Sequence, residues 1–114
     1  MSEYEIKRGD LEPPMEFTLR QEDGTPIDVR GADSVKTIIR LTNASHIATI
    51  IVNRAATIVS ATAGQGLHIW ADGETDQAGG CEAEWQITWP TGRPQTVPSG
   101  TEFFTFTIHP DLAD

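Results

Sequence analysis

The stretch CEAEWQITW, residues 81–89, decides the fold of this chain. Apolar or small residues alternate in it with Glu82, Glu84, Gln86 and Thr88. Successive side chains of a β-strand point to opposite faces, so this alternation gives one apolar face and one polar, solvent-exposed face. A helix would scatter the same residues around its circumference. The stretch therefore predicts an antiparallel strand with one side on a core.

The same alternation recurs at residues 15–19, 35–42 and 104–108, and glycine-containing turn signals such as EDGTP (22–26) and TAGQG (62–66) separate the runs. Short strands separated by such turns are typical of a β-sandwich or β-barrel. We predict an all-β sandwich of about seven or eight strands, because two half-buried sheets must cover each other's apolar faces. The predicted strands lie near 3–8, 14–21, 34–43, 47–53, 55–61, 66–71, 81–89 and 101–109.

Length and composition limit the possibilities further. At 114 residues the chain is expected to form a single domain, residues 1–114. The lone Cys81 cannot form an internal disulfide. The charged opening MSEYEIKRGD does not resemble a secretion signal, and no apolar run approaches the ~20 residues of a membrane span.

The charge distribution argues against nucleic-acid binding. The net charge is −9, and residues 58–114 hold one basic residue, Arg93, against eight acidic ones. Nucleic-acid binding requires clustered Lys and Arg to displace counterions, and such a cluster is missing from the sequence. We therefore expect no nucleic-acid partner.

Two long stretches carry a family resemblance, GDLEPPMEFTLRQEDGTPIDVRGADSVKTIIRL at 9–41 and GLHIWADGETDQAGGCEAEWQITWPTGRPQTVP at 66–98. Together they resemble the immunoglobulin-like N-terminal domain of phage upper baseplate proteins and related phage structural proteins of the tail, baseplate or head. The matching features are small and numerous. They are Gly9-Asp10, Asp23-Gly24, 29–32, 66–70, 76–79, 82–85, Thr91-Gly92 and 96–98.

The resemblance implies a single immunoglobulin-like antiparallel sandwich that serves as a structural protein of the virion. It implies other virion proteins as partners, in a symmetric assembly, and no enzymatic chemistry. We accordingly expect no cofactor, no membrane contact and no small-molecule ligand, and a protein made in the bacterial host cytoplasm and built into the virion. The chain departs from the family at Cys81, where a tyrosine is expected. That tyrosine can anchor its hydroxyl to nearby backbone, so the corner is either absent here or held by other groups.

The acidic loop ADGETDQAGGC, residues 71–81, is the candidate metal site, with Asp72, Glu74 and Asp76 as weak candidate ligands. A calcium loop needs acidic or amide residues at positions 1, 3 and 5, a glycine at 6 and a glutamate at 12. Counting from Asp72, position 6 is Gln77 and position 12 is Ala83. The alternatives are a looser calcium site, a turn with solvated carboxylates, or the acids of a hydrolase.

Trp70 and His68 are the candidate interface residues. They share one strand face and oppose Leu67 and Ile69. An outward Trp70 would anchor a protein partner, because binding energy concentrates at exposed aromatic side chains. With the acidic loop it could instead form a carbohydrate- or host-surface-binding patch. The remaining interpretation is that a bulge shifts the alternation and Trp70 lies inside.

Overall fold

A computed structural model of the chain describes residues 4–43, 45–98 and 103–111, and these residues form strands and turns without a helix. The strands are β1 (Glu5–Lys7), β2 (Met15–Thr18), β3 (Ser34–Thr42), β4 (Ala48–Ala55), β5 (Thr57–Ser60), β6 (Gln65–His68), β7 (Gly79–Thr88), β8 (Pro94–Val97) and β9 (Phe104–His109). Within these ranges no helix has the length and apolar character that a membrane crossing requires. The all-β prediction is confirmed.

The strands form two sheets. Sheet A has six strands in the order β1-β9-β7-β3-β4, with β8 also paired to β7, and sheet B has the order β2-β6-β5. The longest pairing joins β3 to β7, from Ser34 opposite Thr88 to Thr42 opposite Gly80. Among the described residues every strand pair is antiparallel except β1 with β9.

The core lies between the two sheets. Phe17 of sheet B stacks on Trp85 of sheet A, with 4.5 Å between ring centroids. Cys81, Ala83, Trp85 and Ile87 of the opening stretch face this core as predicted, and Trp85 is 3% exposed. Burial of a large side chain contributes roughly 1.5–3 kcal/mol relative to leaving it exposed. This packing confirms the predicted sandwich.

Some predicted elements differ in detail from the observed ones. β8 was not predicted, because Pro94–Val97 shows no apolar alternation and only Val97 is buried. Trp89, predicted to be core, lies past the end of β7 and is only partly buried, with its indole N–H donated to Gln95 Oε1. Residue 3 of the first predicted strand and residues 101–102 of the last lie outside the described residues.

Cys81 packs in the core on β7, opposite Leu41 and Phe106, and its thiol donates to the carbonyl of Gly79 at 3.8 Å. A tyrosine-to-backbone bond exists elsewhere, because the hydroxyl of Tyr4 donates to the carbonyl of Pro13 at 2.6 Å. The same hydroxyl accepts the indole N–H of Trp70 at 2.7 Å. The segment before β1 is thereby fixed to the residues that follow β6.

The chain crosses from sheet A to sheet B between β4 and β5. Only Ala56 separates the two strands, and its amide donates to the carbonyl of Val35. In the part of the chain that the structure describes, β4 is the last strand of sheet A and β5 is the last strand of sheet B. One continuous segment, residues 48–60, therefore borders both sheets on the same side of the sandwich.

Candidate functional site

Glu74 is the centre of a polar cluster that joins the two sheets. Its two carboxylate oxygens accept hydrogen bonds from Nε and Nη2 of Arg54, at 2.9 Å each. Oε1 also accepts the amide of Ala71 at 2.8 Å and lies 3.2 Å from Nε2 of His68. Nη2 of Arg54 donates in addition to the carbonyl of Ile69. The carboxylate is 13% exposed and is already occupied by protein donors.

The other two acidic residues of the loop do not join this cluster. Asp72 and Asp76 are exposed, and the described residues contain no group of three or more His, Cys, Asp or Glu side chains placed to hold a metal. The loop is a turn, in which the amide of Glu74 donates to Ala71 and Gly73 has a φ of +90°. The interpretation of this loop as a turn with solvated carboxylates is therefore wrong for Glu74, because Arg54 and His68 bind it.

The same loop is fastened to the chain that follows β1. The carbonyl of Thr75 accepts the amide of Gly9 at 3.0 Å, and the hydroxyl of Thr75 donates to the carbonyl of Asp10 at 2.9 Å. Thr75 is 1% exposed. Both its backbone and its side chain therefore hold the loop in place.

The proposed surface position of Trp70 and His68 is wrong. Trp70 is 4% and His68 is 1% exposed, whereas their neighbour Ile69 is 48% exposed. The shared face was predicted correctly, but it points inward. Burial is possible because Tyr4 accepts the indole N–H of Trp70 and Glu74 pairs with the imidazole of His68. A glycan- or host-binding patch centred on Trp70 is therefore not present.

The electrostatics of the cluster follow from its burial. Burial lowers the pKa of His68, the charge of Arg54 lowers it further, and Glu74 acts in the opposite direction. For Glu74, burial alone would raise the pKa, but hydrogen bonds from Arg54 and from the amide of Ala71 outweigh it, so the pKa is lowered. At neutral pH the imidazole is therefore neutral, and its contact with Glu74 places the proton on Nε2. With its ring fully enclosed, His68 serves the structure of this cluster.

The segment from residue 41 to residue 71 is nearly free of charged residues. Among these residues Arg54 is the only Asp, Glu, Lys or Arg, and its guanidinium is bound to Glu74. Ile47, Ile50 and Val59 are 59%, 53% and 63% exposed. Edge strands are commonly protected by charged side chains or proline, and neither stands in residues 48–53. We refer to this uncharged part of β4, together with Ile47, as the β4 edge.

Neither the polar cluster nor the β4 edge was predicted from the sequence. Arg54 and Glu74 are 20 residues apart, so no local motif indicates their pairing. The signal for the edge was present, since a long uncharged run interrupts a chain in which 22% of residues are charged.

Neither a family model nor a curated protein provides a match for this chain.

Proposed function

We propose that this protein is a structural component of a bacteriophage virion, in the tail, baseplate or head, and that it acts by binding other virion proteins. Two features support the proposal. One is the extended sequence resemblance to phage structural domains, and the other is the β4 edge. The edge carries the greater weight, because it is a property of this chain's own surface.

The β4 edge has the chemistry of a surface made for association. Ile47 and Ile50 expose more than half of their surface, and β4 has a strand partner, β3, on one side. An exposed, apolar edge of this kind is a template for another strand, and soluble proteins that remain monomeric normally avoid it. A protein whose edge strand is covered by a partner in an assembly does not need charged side chains or proline on that strand.

The polar cluster supports a role without chemistry. His68 has no exposed side-chain surface, and the carboxylate of Glu74 already binds Arg54 and the amide of Ala71. A general acid or base must come within hydrogen-bond reach of its substrate. These residues instead hold β4 against the turn of residues 72–76, which keeps the edge in a fixed position.

The test is to locate the protein in particles. Virions are purified by density gradient from a culture that produces the phage encoding this chain, and they are examined by immunogold electron microscopy and by mass spectrometry. We expect gold labels at one fixed place on the particle, and peptides of the chain at a copy number set by the particle's symmetry. A mock preparation from uninfected host cells is the control. Finding the protein only in the host cytosol would overturn the proposal.

A further inference from the structure

We propose that two copies of this chain associate through their β4 edges, in an antiparallel pair around a two-fold axis at Thr49. The inference deepens the proposed function, because it names the first contact in the assembly and the kind of partner, a second copy. Sheet A would then continue across the axis into the sheet A of the other copy.

The backbone of β4 is suited to this pairing. The strand pairs with β3 from Thr42 opposite Ala48 to Lys36 opposite Ala55, and in the part of the chain that the structure describes it pairs with no other strand. The amide and carbonyl groups of its outer side therefore resemble those of any unpaired sheet edge. Addition of a strand satisfies such groups and contributes main-chain hydrogen bonds.

The side-chain order around Thr49 is close to symmetrical. Under a two-fold axis at Thr49, the two copies of Thr49 lie opposite each other and Ala48 lies opposite Ile50 of the second copy. Ile47 then lies opposite Ile51 of the second copy. Apolar residues thus meet apolar residues, and threonine meets threonine, which are favourable cross-strand pairs.

The sheet faces on which Ala48, Thr49 and Ile50 lie are consistent with a two-fold axis at Thr49. Thr49 pairs with Leu41, which faces the core, whereas Ala48 and Ile50 pair with Thr42 and Arg40 on the outer face. Residues opposite each other in an antiparallel pair must share a face, and Ala48 and Ile50 do so. The bulge between Ile39 and Arg40 leaves Ile51 as an extra residue on β4, and the symmetrical pairing ends there.

Charge favours a second copy over a partner of opposite charge. The chain carries a net charge of −9, yet none of residues 47–53 is charged. Arg40, which lies opposite Ile50 on the neighbouring strand β3, forms an ion pair with Glu82. An edge without charge does not select a basic partner and does not repel its own copy, while the acidic remainder of the surface discourages other contacts between copies.

The pairing is short, so the dimer should be weak. A symmetrical match of about five residues per strand falls below the area of a standard stable interface, and an affinity in the micromolar range is typical of small interfaces. In a virion, the high local concentration set by neighbouring proteins would strengthen it.

Sedimentation velocity of the purified chain, from micromolar to millimolar concentration, tests the pairing. The sedimentation coefficient of the wild type should rise with concentration from that of a monomer to that of a dimer. Ile50→Lys should remain monomeric, because it places a charge on each side of the axis. Val59→Lys, which changes an equally exposed residue of β5, should still form the dimer. Circular dichroism checks that both variants are folded.

Disulfide trapping tests the register. The copies of Thr49 would be directly opposite, within the Cα separation that a disulfide spans, so Thr49→Cys should cross-link under mild oxidation. The copies of Asn53 would be about 26 Å apart along the pair, so Asn53→Cys should not. A wild type that stays monomeric, equal dimerisation of the two lysine variants, or equal trapping of the two cysteine variants would overturn the pairing. The virion proposal would be unaffected, since particle labelling decides it.

Discussion

Arg54 binds Glu74 through two hydrogen bonds of 2.9 Å. This contact connects β4, the edge strand of sheet A, to the turn that follows β6 of sheet B. The same guanidinium donates to the carbonyl of Ile69. The guanidinium of Arg54, the only Asp, Glu, Lys or Arg in residues 41–71, is therefore held by Glu74 and by the carbonyl of Ile69.

Replacing Arg54 should destabilise the fold measurably. Arg54→Met keeps much of the aliphatic stem but leaves the largely buried carboxylate of Glu74 without its main donors, which should cost about 1–3 kcal/mol of unfolding free energy. Arg30→Met is the control, because its ion pair with Asp28 is exposed to solvent and should contribute little to the free energy of unfolding. Urea unfolding followed by tryptophan fluorescence measures both. Equal losses in the two variants would contradict a special role for Arg54.

The stability should fall as the solution becomes mildly acidic. The pKa of His68 is lower in the folded chain than its ordinary value of 6.5, so the unfolded chain binds a proton first as the pH drops. The contribution of neutral His68 is complete above about pH 6.5 and is lost as the pH falls toward the lowered folded value. Glu74, whose pKa is also lowered, adds a further loss below about pH 4.5.

Urea titrations between pH 7 and pH 5 measure this slope. It should be shallower in His68→Gln and should persist in His109→Gln, which changes a half-exposed histidine beside Glu5. An unchanged slope in His68→Gln would show that another group is responsible.

Gly66 should tolerate no side chain. A Cβ at this position would lie 2.5 Å from Cζ of Phe17 and 2.7 Å from the carbonyl oxygen of Thr57. Gly66→Ala should therefore cost about 1–3 kcal/mol through overpacking and should disturb the stacking of Phe17 on Trp85. In the control Gly80→Ala the added Cβ meets nothing within 4 Å, so the change should stay within about 0.5 kcal/mol. Thermal unfolding and near-ultraviolet circular dichroism distinguish these outcomes.

Cys81 should be chemically inert in the native chain. It is 2% exposed, and burial raises the pKa of its thiol to about 12, although a backbone hydrogen bond involving Ile108 acts in the opposite direction. At pH 8 its reaction with Ellman's reagent should be roughly a thousand-fold slower than in the unfolded chain, because the thiolate is the reactive form. A comparable rate with and without denaturant would contradict this placement of Cys81.

The central strands could be predicted from the sequence because their own residues carry the pattern. In β3 and β7 one face packs on the core and the other is in contact with solvent, so apolar and polar residues alternate along these strands. β8 leaves no such pattern, since three of its four residues are exposed and it is held only by its pairing with β7. The parallel pairing of β1 with β9 joins the two ends of the chain, and no local signal specifies it.

The interior position of Trp70 and the polar cluster could not be predicted for a related reason. The alternation shows that His68 and Trp70 share a face, but the side they take depends on hydrogen-bond partners distant in sequence. Tyr4, which accepts the indole N–H of Trp70, is 66 residues away. Tyr4 for the indole N–H of Trp70 and Glu74 for Nε2 of His68 are such partners, and they become visible only in the folded chain.

The most direct test of the β4 edge as an assembly surface is hydrogen–deuterium exchange of the protein in two states, the dilute isolated chain and the purified virion. In peptides covering residues 47–52, the amides that point away from β3 should exchange quickly in the dilute chain, because among the described residues β4 pairs with β3 alone, and these amides should be strongly protected in the virion. Peptides of the central strand β7 should be protected in both states and serve as the internal reference. Equally rapid exchange of residues 47–52 in the virion would contradict the account.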